Sequence, residues 1–191
     1  VIIVGGANGA GKTTFIKKYL EQHAGILYLS ADAIAETLSP QNMDAVKIQA
    51  GRVFTNTMKQ FIHQGVPFLV ESTLAGKALL RDIDSAKDKG LETQLIYIFH
   101  DSMDVCINRV RDRVLAGGHG VPAQDIIRRY KRSLINFWCQ YKDAVDEWYI
   151  VYNSSTGAEL VASGHKPAQG IDVVNKTLFS LFEKVLKNER G

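Results

Sequence analysis

The 191 residues are 46% hydrophobic and 23% charged, with a formal net charge of +3. This is an ordinary globular balance, and it excludes a disordered or low-complexity chain. So small a net charge makes no electrostatic case for nucleic acid as a partner, and the length is that of one α/β domain spanning residues 1–191.

The chain starts with the apolar run Val1-Ile2-Ile3-Val4, which reads as a strand, and Gly5 leads straight into a glycine-rich loop. Gly6, Ala7, Asn8, Gly9, Ala10, Gly11, Lys12 and Thr13 satisfy G-x-x-x-x-G-K-[ST] at a strand-to-helix junction, with Thr14 next in line. The pattern has a physical reason. Residues without a Cβ let backbone N–H groups curl round a phosphate chain, and the following helix points its positive end at the anion. Lys12 is placed to reach the β- and γ-phosphates of ATP, and the Thr13 hydroxyl to ligate Mg²⁺. A nucleotide-binding loop is therefore expected.

A helix is predicted over Thr13 to His23, then a second strand over Ile26 to Leu29 and a short helix over Ala31 to Leu38, closed by Ser39-Pro40. Asp32 opens that helix. A carboxylate there complements the helix dipole, but it also sits at a strand tip, where a general base for a substrate hydroxyl is needed. Asp44 is expected to cap a long helix to Gln64, stopped by Gly65 and Pro67. Phe68 to Val70 reads as the third strand. It leads into Glu71-Ser72-Thr73, a polar cluster in which Glu71 is suited to hold Mg²⁺ and the three together to line an acceptor cleft.

After a helix over Lys77 to Lys89, a fourth strand is predicted at Thr93 to Phe99, ending in His100-Asp101. Helices over Ser102 to Leu115 and from Pro122 to about Ala144 follow, with Pro122 expected at the first helical position. Between Arg109 and Arg132 lie seven cations and two carboxylates, so the rest of the chain is slightly acidic. Arg109 and Arg113 share one helix face, and Gly117-Gly118-His119-Gly120 hinges them to Arg128, Arg129, Lys131 and Arg132. Such a stripe is often no more than a solvated face. Here the glycine hinge makes residues of about 109–132 a candidate lid over a triphosphate, with Arg109 and Arg113 stabilising the transferring phosphoryl group. His119 and Arg128 are then candidates for the substrate side.

A fifth strand over Trp148 to Tyr152 ends at Asn153-Ser154. A short strand over Ala158 to Ala162 and a helix over Ile171 to Lys187 close the prediction. Alternation of apolar strands with amphipathic helices predicts a three-layer α/β/α P-loop fold with a mostly parallel five-stranded sheet. Trp138, Tyr141, Trp148 and Tyr149 are expected to be packing aromatics. Cys106 and Cys139 have no metal spacing and read as buried thiols, which suits a reducing cytoplasm. No apolar run has the length of a membrane span, and no leader-like segment precedes the first strand.

With these residues in place, the chain resembles the zeta-toxin family of P-loop kinases, and more closely its short, single-domain bacterial members. The matching parts are Gly6 to Thr14, Asp32, Phe68 to Leu74 with its Glu-Ser-Thr, and Arg109 to Arg132 with Gly117-Gly118-His119-Gly120-Val121-Pro122. The loop alone is generic, whereas its combination with the other segments is more specific. The resemblance implies a nucleotide-kinase-like strand order with strand three beside strand one, and phosphorylation of a hydroxyl of UDP-N-acetylglucosamine by ATP. It also implies that Asp32 is the general base, that Lys12 and an arginine around Arg109 bind phosphate, and that Glu71 and Thr73 line the substrate or metal side. The chain departs from the larger toxins in having His119 where they carry an arginine near the lid turn. Toxicity does not carry over, and an antitoxin protein remains only one conceivable partner. A nucleotide-binding switch with a protein partner and a polynucleotide kinase are the competing functions.

Overall fold

The structure is a computed structural model describing residues 1–154, 157–166 and 170–190. Five strands run parallel: β1 (Ile2–Gly5), β2 (Leu27–Leu29), β3 (Phe68–Ser72), β4 (Gln94–Phe99) and β5 (Glu147–Asn153). Two antiparallel strands, β6 (Ala158–His165) and β7 (Asp172–Val173), extend the sheet beyond β5. The order β2-β3-β1-β4-β5-β6-β7 puts β3 directly beside β1. The sheet thus has seven strands rather than the expected five. β7 is two residues long, too short to show any periodicity, and the last helix starts after it instead of at Ile171.

The helices are α1 (Lys12–Gln22), α2 (Ala31–Leu38), α3 (Lys47–Gln64), α4 (Ala78–Asp88), α5 (Met103–Leu115), α6 (Ala123–Asn136), α7 (Lys142–Ala144) and α8 (Lys176–Arg190). A 3₁₀ turn, Met43–Val46, precedes α3 and is capped by Asn42, whose Oδ1 accepts from the Ala45 N–H at 3.2 Å. The expected cap, Asp44, lies inside that turn. Pro122 stands one residue earlier than expected, just outside α6. Gly65 ends α3 in the left-handed conformation, at φ 66°, a conformation that favours a residue without a Cβ.

Strand residues alternate between two cores, as a sheet covered on both faces requires. Ile3, Val70, Leu95, Tyr97 and Phe99 pack with Phe137, Tyr141 and Phe182 on one face. Val4, Leu69, Ile96 and Ile98 pack with Ile16 of α1 on the other. Tyr141 and Trp148 are buried, and Trp138 and Tyr149 pack at the cores' margins. Cys106 is buried, but Cys139 is exposed. It lies two residues from each of the buried Phe137 and Tyr141, and so on the opposite side of the helical turn they share. Among the described residues, no helix is long and apolar enough to cross a membrane.

Candidate active site at the carboxyl ends of the parallel strands

All five parallel strands deliver polar residues to the same edge of the sheet, the edge where open α/β sheets bind ligands. The loop from Gly6 to Gly11 follows β1, and Lys12 begins α1. Gly9 and Gly11 have φ of 79° and 98°. A Cβ on Gly9 would run into the Cys106 backbone, so that glycine is required by space as well as by backbone angle; one on Gly11, whose backbone angle also favours glycine, would have to displace the Asn153 amide. Lys12 is almost wholly buried and donates to the Ala7 carbonyl at 3.0 Å. Burial draws its ammonium below the ordinary lysine range, while Glu71 acts in the opposite sense.

Glu71, near the end of β3, is the hub. Its carboxylate lies 3.6 Å from Lys12 Nζ, accepts from Thr13 Oγ1 at 3.2 and 3.3 Å, and accepts from the Tyr28 hydroxyl at 2.6 Å. Burial and the adjacent carboxylate push the Tyr28 phenol up, so it stays a donor. The Thr13 hydroxyl and Glu71 carboxylate fit Mg²⁺, a hard cation that takes one or two protein oxygens and completes its shell with phosphates and water. Among the described residues no group of three or more His, Cys, Asp or Glu gathers as an all-protein metal cage.

Asp32 lies in the first turn of α2, whose N-cap Ser30 accepts from the Ala33 N–H at 3.4 Å. Its carboxylate thus stands at the positive end of that helix. Two cavities meet there. One, of about 370 Å³, is lined by loop residues including Asn8, Gly11, Lys12, Thr13 and Thr14 together with Asp32, Glu71, Arg109 and Arg113. The other, of about 220 Å³, is lined by Ser30, Asp32, Phe54, Glu71, Ser72 and Thr73, and shares Asn8 and Lys12 with the first.

The loop carrying Ser72 and Thr73 is held in an uncommon shape. Leu74 is buried and is the one non-glycine among the described residues with positive φ, at 54°. Its N–H donates to Ser72 Oγ at 3.1 Å, and Asn136 Nδ2 of α6 donates to its carbonyl at 2.8 Å. Backbone strain of this kind persists where the surroundings over-determine it.

Helices α5 and α6 form the basic segment expected to be a lid. Ala7 of the loop packs with Cys106, Val110, Ile126 and Tyr130 of these helices. α5 ends in a left-handed Gly117, and the Gly118 N–H returns to the Arg113 carbonyl at 2.9 Å. Arg109 and Arg113 both face the phosphate-loop cavity. Arg128 does not reach it; it pairs with Asp125 at 2.8 Å, one turn earlier on its own helix. His119 lies 3.9 Å from Asp44, across from the 3₁₀ turn, and does not line either cavity.

Two contacts were not legible as site features. Arg129, neighbour to Arg128, donates to Asn8 Oδ1 at 3.1 Å and so ties α6 to the loop. Tyr28 reads in the sequence as an ordinary strand aromatic. Asn153 was legible as a polar residue at a strand tip, and so as a candidate for the site; the structure adds its partner, for its side chain donates to the Ala10 carbonyl at 2.8 Å.

Residues 1–134 match a protein-family model described as an AAA domain, AAA_33. An uncharacterized protein of Haemophilus influenzae is 33% identical over 123 residues, which cover 64% of this chain and 86% of that one. Among solved structures, the AvrRxo1-ORF1:AvrRxo1-ORF2 complex with ATP superposes with a TM-score of 0.76 at 15% identity, covering 97% of this chain. This chain spans only 62% of the matched AvrRxo1 chain. The PezAT chromosomal toxin-antitoxin system of Streptococcus pneumoniae superposes with a TM-score of 0.63 at 16% identity, covering 99% of this chain and 86% of that one. At such identities the likeness to both is one of fold, and the fold is that of P-loop NTPases.

Proposed function

The chain belongs to the AAA domain family AAA_33, and from that premise we propose that it is an ATP-dependent phosphotransferase acting on a hydroxyl of a small acceptor. The observation that carries this reading is the shared wall between two cavities. The phosphate-loop cavity and the cavity beside Ser72 and Thr73 have Lys12, Asp32 and Glu71 in common. A donor phosphate in the first and an acceptor hydroxyl in the second would meet at Asp32. A nucleotide switch has no need of the second chamber.

In the proposed reaction the Asp32 carboxylate takes the proton of the acceptor hydroxyl, and the freed oxygen attacks the γ-phosphorus. The bond from that phosphorus to the β–γ bridging oxygen breaks, and ADP leaves. Lys12 and the arginines Arg109 and Arg113 offset the charge on the transferring group, and the loop backbone fixes the donor in line. Thr13 and Glu71 would hold Mg²⁺, which when bound neutralises phosphate charge. Ser72 and Thr73 orient the acceptor, while His119 and Arg128, outside both cavities, would reach a substrate only by movement of the lid.

The acceptor favoured by the resemblance of the sequence to zeta toxins is a nucleotide sugar such as UDP-N-acetylglucosamine. A second reading, a regulatory NTPase that works with a protein partner, draws support from the fold likeness to a toxin-antitoxin system and to a two-protein complex. One assay separates the two. ADP release from Mg-ATP is followed with and without UDP-N-acetylglucosamine and other nucleotide sugars, with product masses read by mass spectrometry. A product heavier by one phosphoryl group supports the transferase. Nucleotide binding with no acceptor-dependent ADP across the panel counts against it.

A further inference from the structure

Asn153, the last residue of β5, stands at a junction that the proposed reaction leaves unused. Its side-chain Nδ2 donates to the carbonyl of Ala10, inside the phosphate loop, at 2.8 Å. Its own backbone carbonyl accepts from Arg109 Nη2 at 3.4 Å. The amide lies so close over Gly11 that a Cβ there would have to displace it. One residue therefore touches the loop through its side chain and the lid arginine through its backbone. It is not free to drift: it pairs with Ala158 in the β5–β6 ladder, and the Ser154 N–H that follows donates to the Gly157 carbonyl at 3.0 Å.

We propose that Asn153 is a positioning residue that couples the phosphate loop to Arg109, holding the two at one spacing before nucleotide arrives. This rests on the reading that Arg109 acts on the phosphates of a bound nucleotide. The physical argument lies in the difference between the two contacts. The amide bond to Ala10 is short and well formed, so it fixes the position of the β5 end relative to the loop. The bond to Arg109 is long, so the guanidinium is parked beside the loop and can turn to an incoming phosphate at little cost. The β5–β6 ladder keeps the Asn153 carbonyl and the arginine parked on it in place, so loss of the amide frees the loop to shift and changes its spacing from Arg109. A residue serving only to shape the loop would act the same whether or not the arginine is there.

A double-mutant cycle reads that distinction. Affinity for a fluorescent ATP analogue is measured with Mg²⁺ for the full chain and for Asn153→Ala, Arg109→Ala and the double variant. ADP release and thermal midpoint are recorded in parallel. The coupling predicts that Asn153→Ala weakens binding by about tenfold when Arg109 is present and by less than twofold when it is absent. Where Asn153→Ala folds poorly, Asn153→Leu, which keeps the volume and removes the donor without adding charge, takes its place in both arginine backgrounds with the same expected losses. Equal losses in both arginine backgrounds, or no loss in either, would overturn the coupling. Because binding carries the cycle, a failure of phosphoryl transfer appears separately, as absent acceptor-dependent ADP with the coupling intact.

Discussion

The hydroxyl of Tyr28 donates to the Glu71 carboxylate at 2.6 Å, from the strand at one edge of the sheet to the strand beside it. On its other side the same carboxylate takes the Thr13 hydroxyl. Tyr28 therefore fixes the rotamer of the carboxylate that, in the proposed site, works with Thr13 on Mg²⁺. Loss of an outer partner of this kind commonly lowers metal affinity tenfold or more. Tyr28→Phe should leave the fold intact and raise the Mg²⁺ concentration for half-maximal nucleotide binding by about tenfold. Binding of nucleotide without metal should hardly change. Titration of a fluorescent ATP analogue at a series of Mg²⁺ concentrations checks this, and an unchanged Mg²⁺ midpoint would remove Tyr28 from the site.

Lys12 and Asp32 line both cavities, but the proposed reaction uses them differently, and their variants should separate. Lys12→Ala removes a buried cation from the loop, so it should abolish turnover and weaken ATP binding. Asp32→Asn keeps size and polarity and removes only the base. Nucleotide affinity should survive, while phosphoryl transfer falls on the order of 10²-fold or more. Equilibrium binding and single-turnover transfer, measured on the same preparations, distinguish the two patterns. Undiminished transfer in Asp32→Asn would exclude it as the base.

Much of this arrangement was legible in the sequence because it is local. The phosphate loop is eight consecutive residues whose glycines answer to backbone angles, and the strand tips carrying Asp32 and Glu71 follow from apolar runs ending in polar residues. What escaped depends on long-range register. Arg128 and Arg129 are equivalent in composition, yet one helical step of 100° sends Arg128 to Asp125 and Arg129 to Asn8 across the lid interface. The strand expected over Ala158 to Ala162 is β6, though it runs on to His165; β7 escaped because it is only two residues long and exists through its pairing with β6. The left-handed Leu74 was not legible, since its local contact with Ser72 Oγ is completed by an Asn sixty-two positions away.

His100 gives the fold a pH dependence with a definite sign. Burial holds its imidazolium below the ordinary value, the nearby Arg109 acts in the same direction, and Asp101 opposes them. The Ser102 N–H donates to Nδ1 at 3.2 Å, which suits a neutral ring. As pH falls through about 6.5, the unfolded chain takes up this proton before the folded one does. The contribution from neutral His100 is therefore complete above that pH, declines between it and the lower folded value, and then levels off. Thermal midpoints from pH 8 down to 5 should show this loss, and His100→Gln should reduce the slope. A slope identical in the variant would assign the dependence to other groups.

Phe137 links the central core to the loop of Ser72 and Thr73, which the proposed reaction gives to the acceptor. It is fully buried, stacked on Tyr97 with ring centroids 4.2 Å apart and set edge-on to Trp148 and Phe182. The preceding residue is Asn136, whose amide holds the Leu74 carbonyl. Phe137→Ala would empty a ring's volume between rigid aromatics on three elements, β4, β5 and α8, where collapse is restricted, so a loss of about 3–5 kcal/mol is expected. Urea unfolding measures that loss. The same vacancy frees the α6 end to shift, so Asn136 would release Leu74 and the loop bearing Thr73 would relax from its strained turn. Acceptor KM should then rise more than nucleotide affinity falls, because the phosphate loop is braced separately, through Asn153 and Arg129. Equal losses on both substrates would show instead that the cavity weakens the fold as a whole and that Phe137 has no particular hold on the acceptor loop.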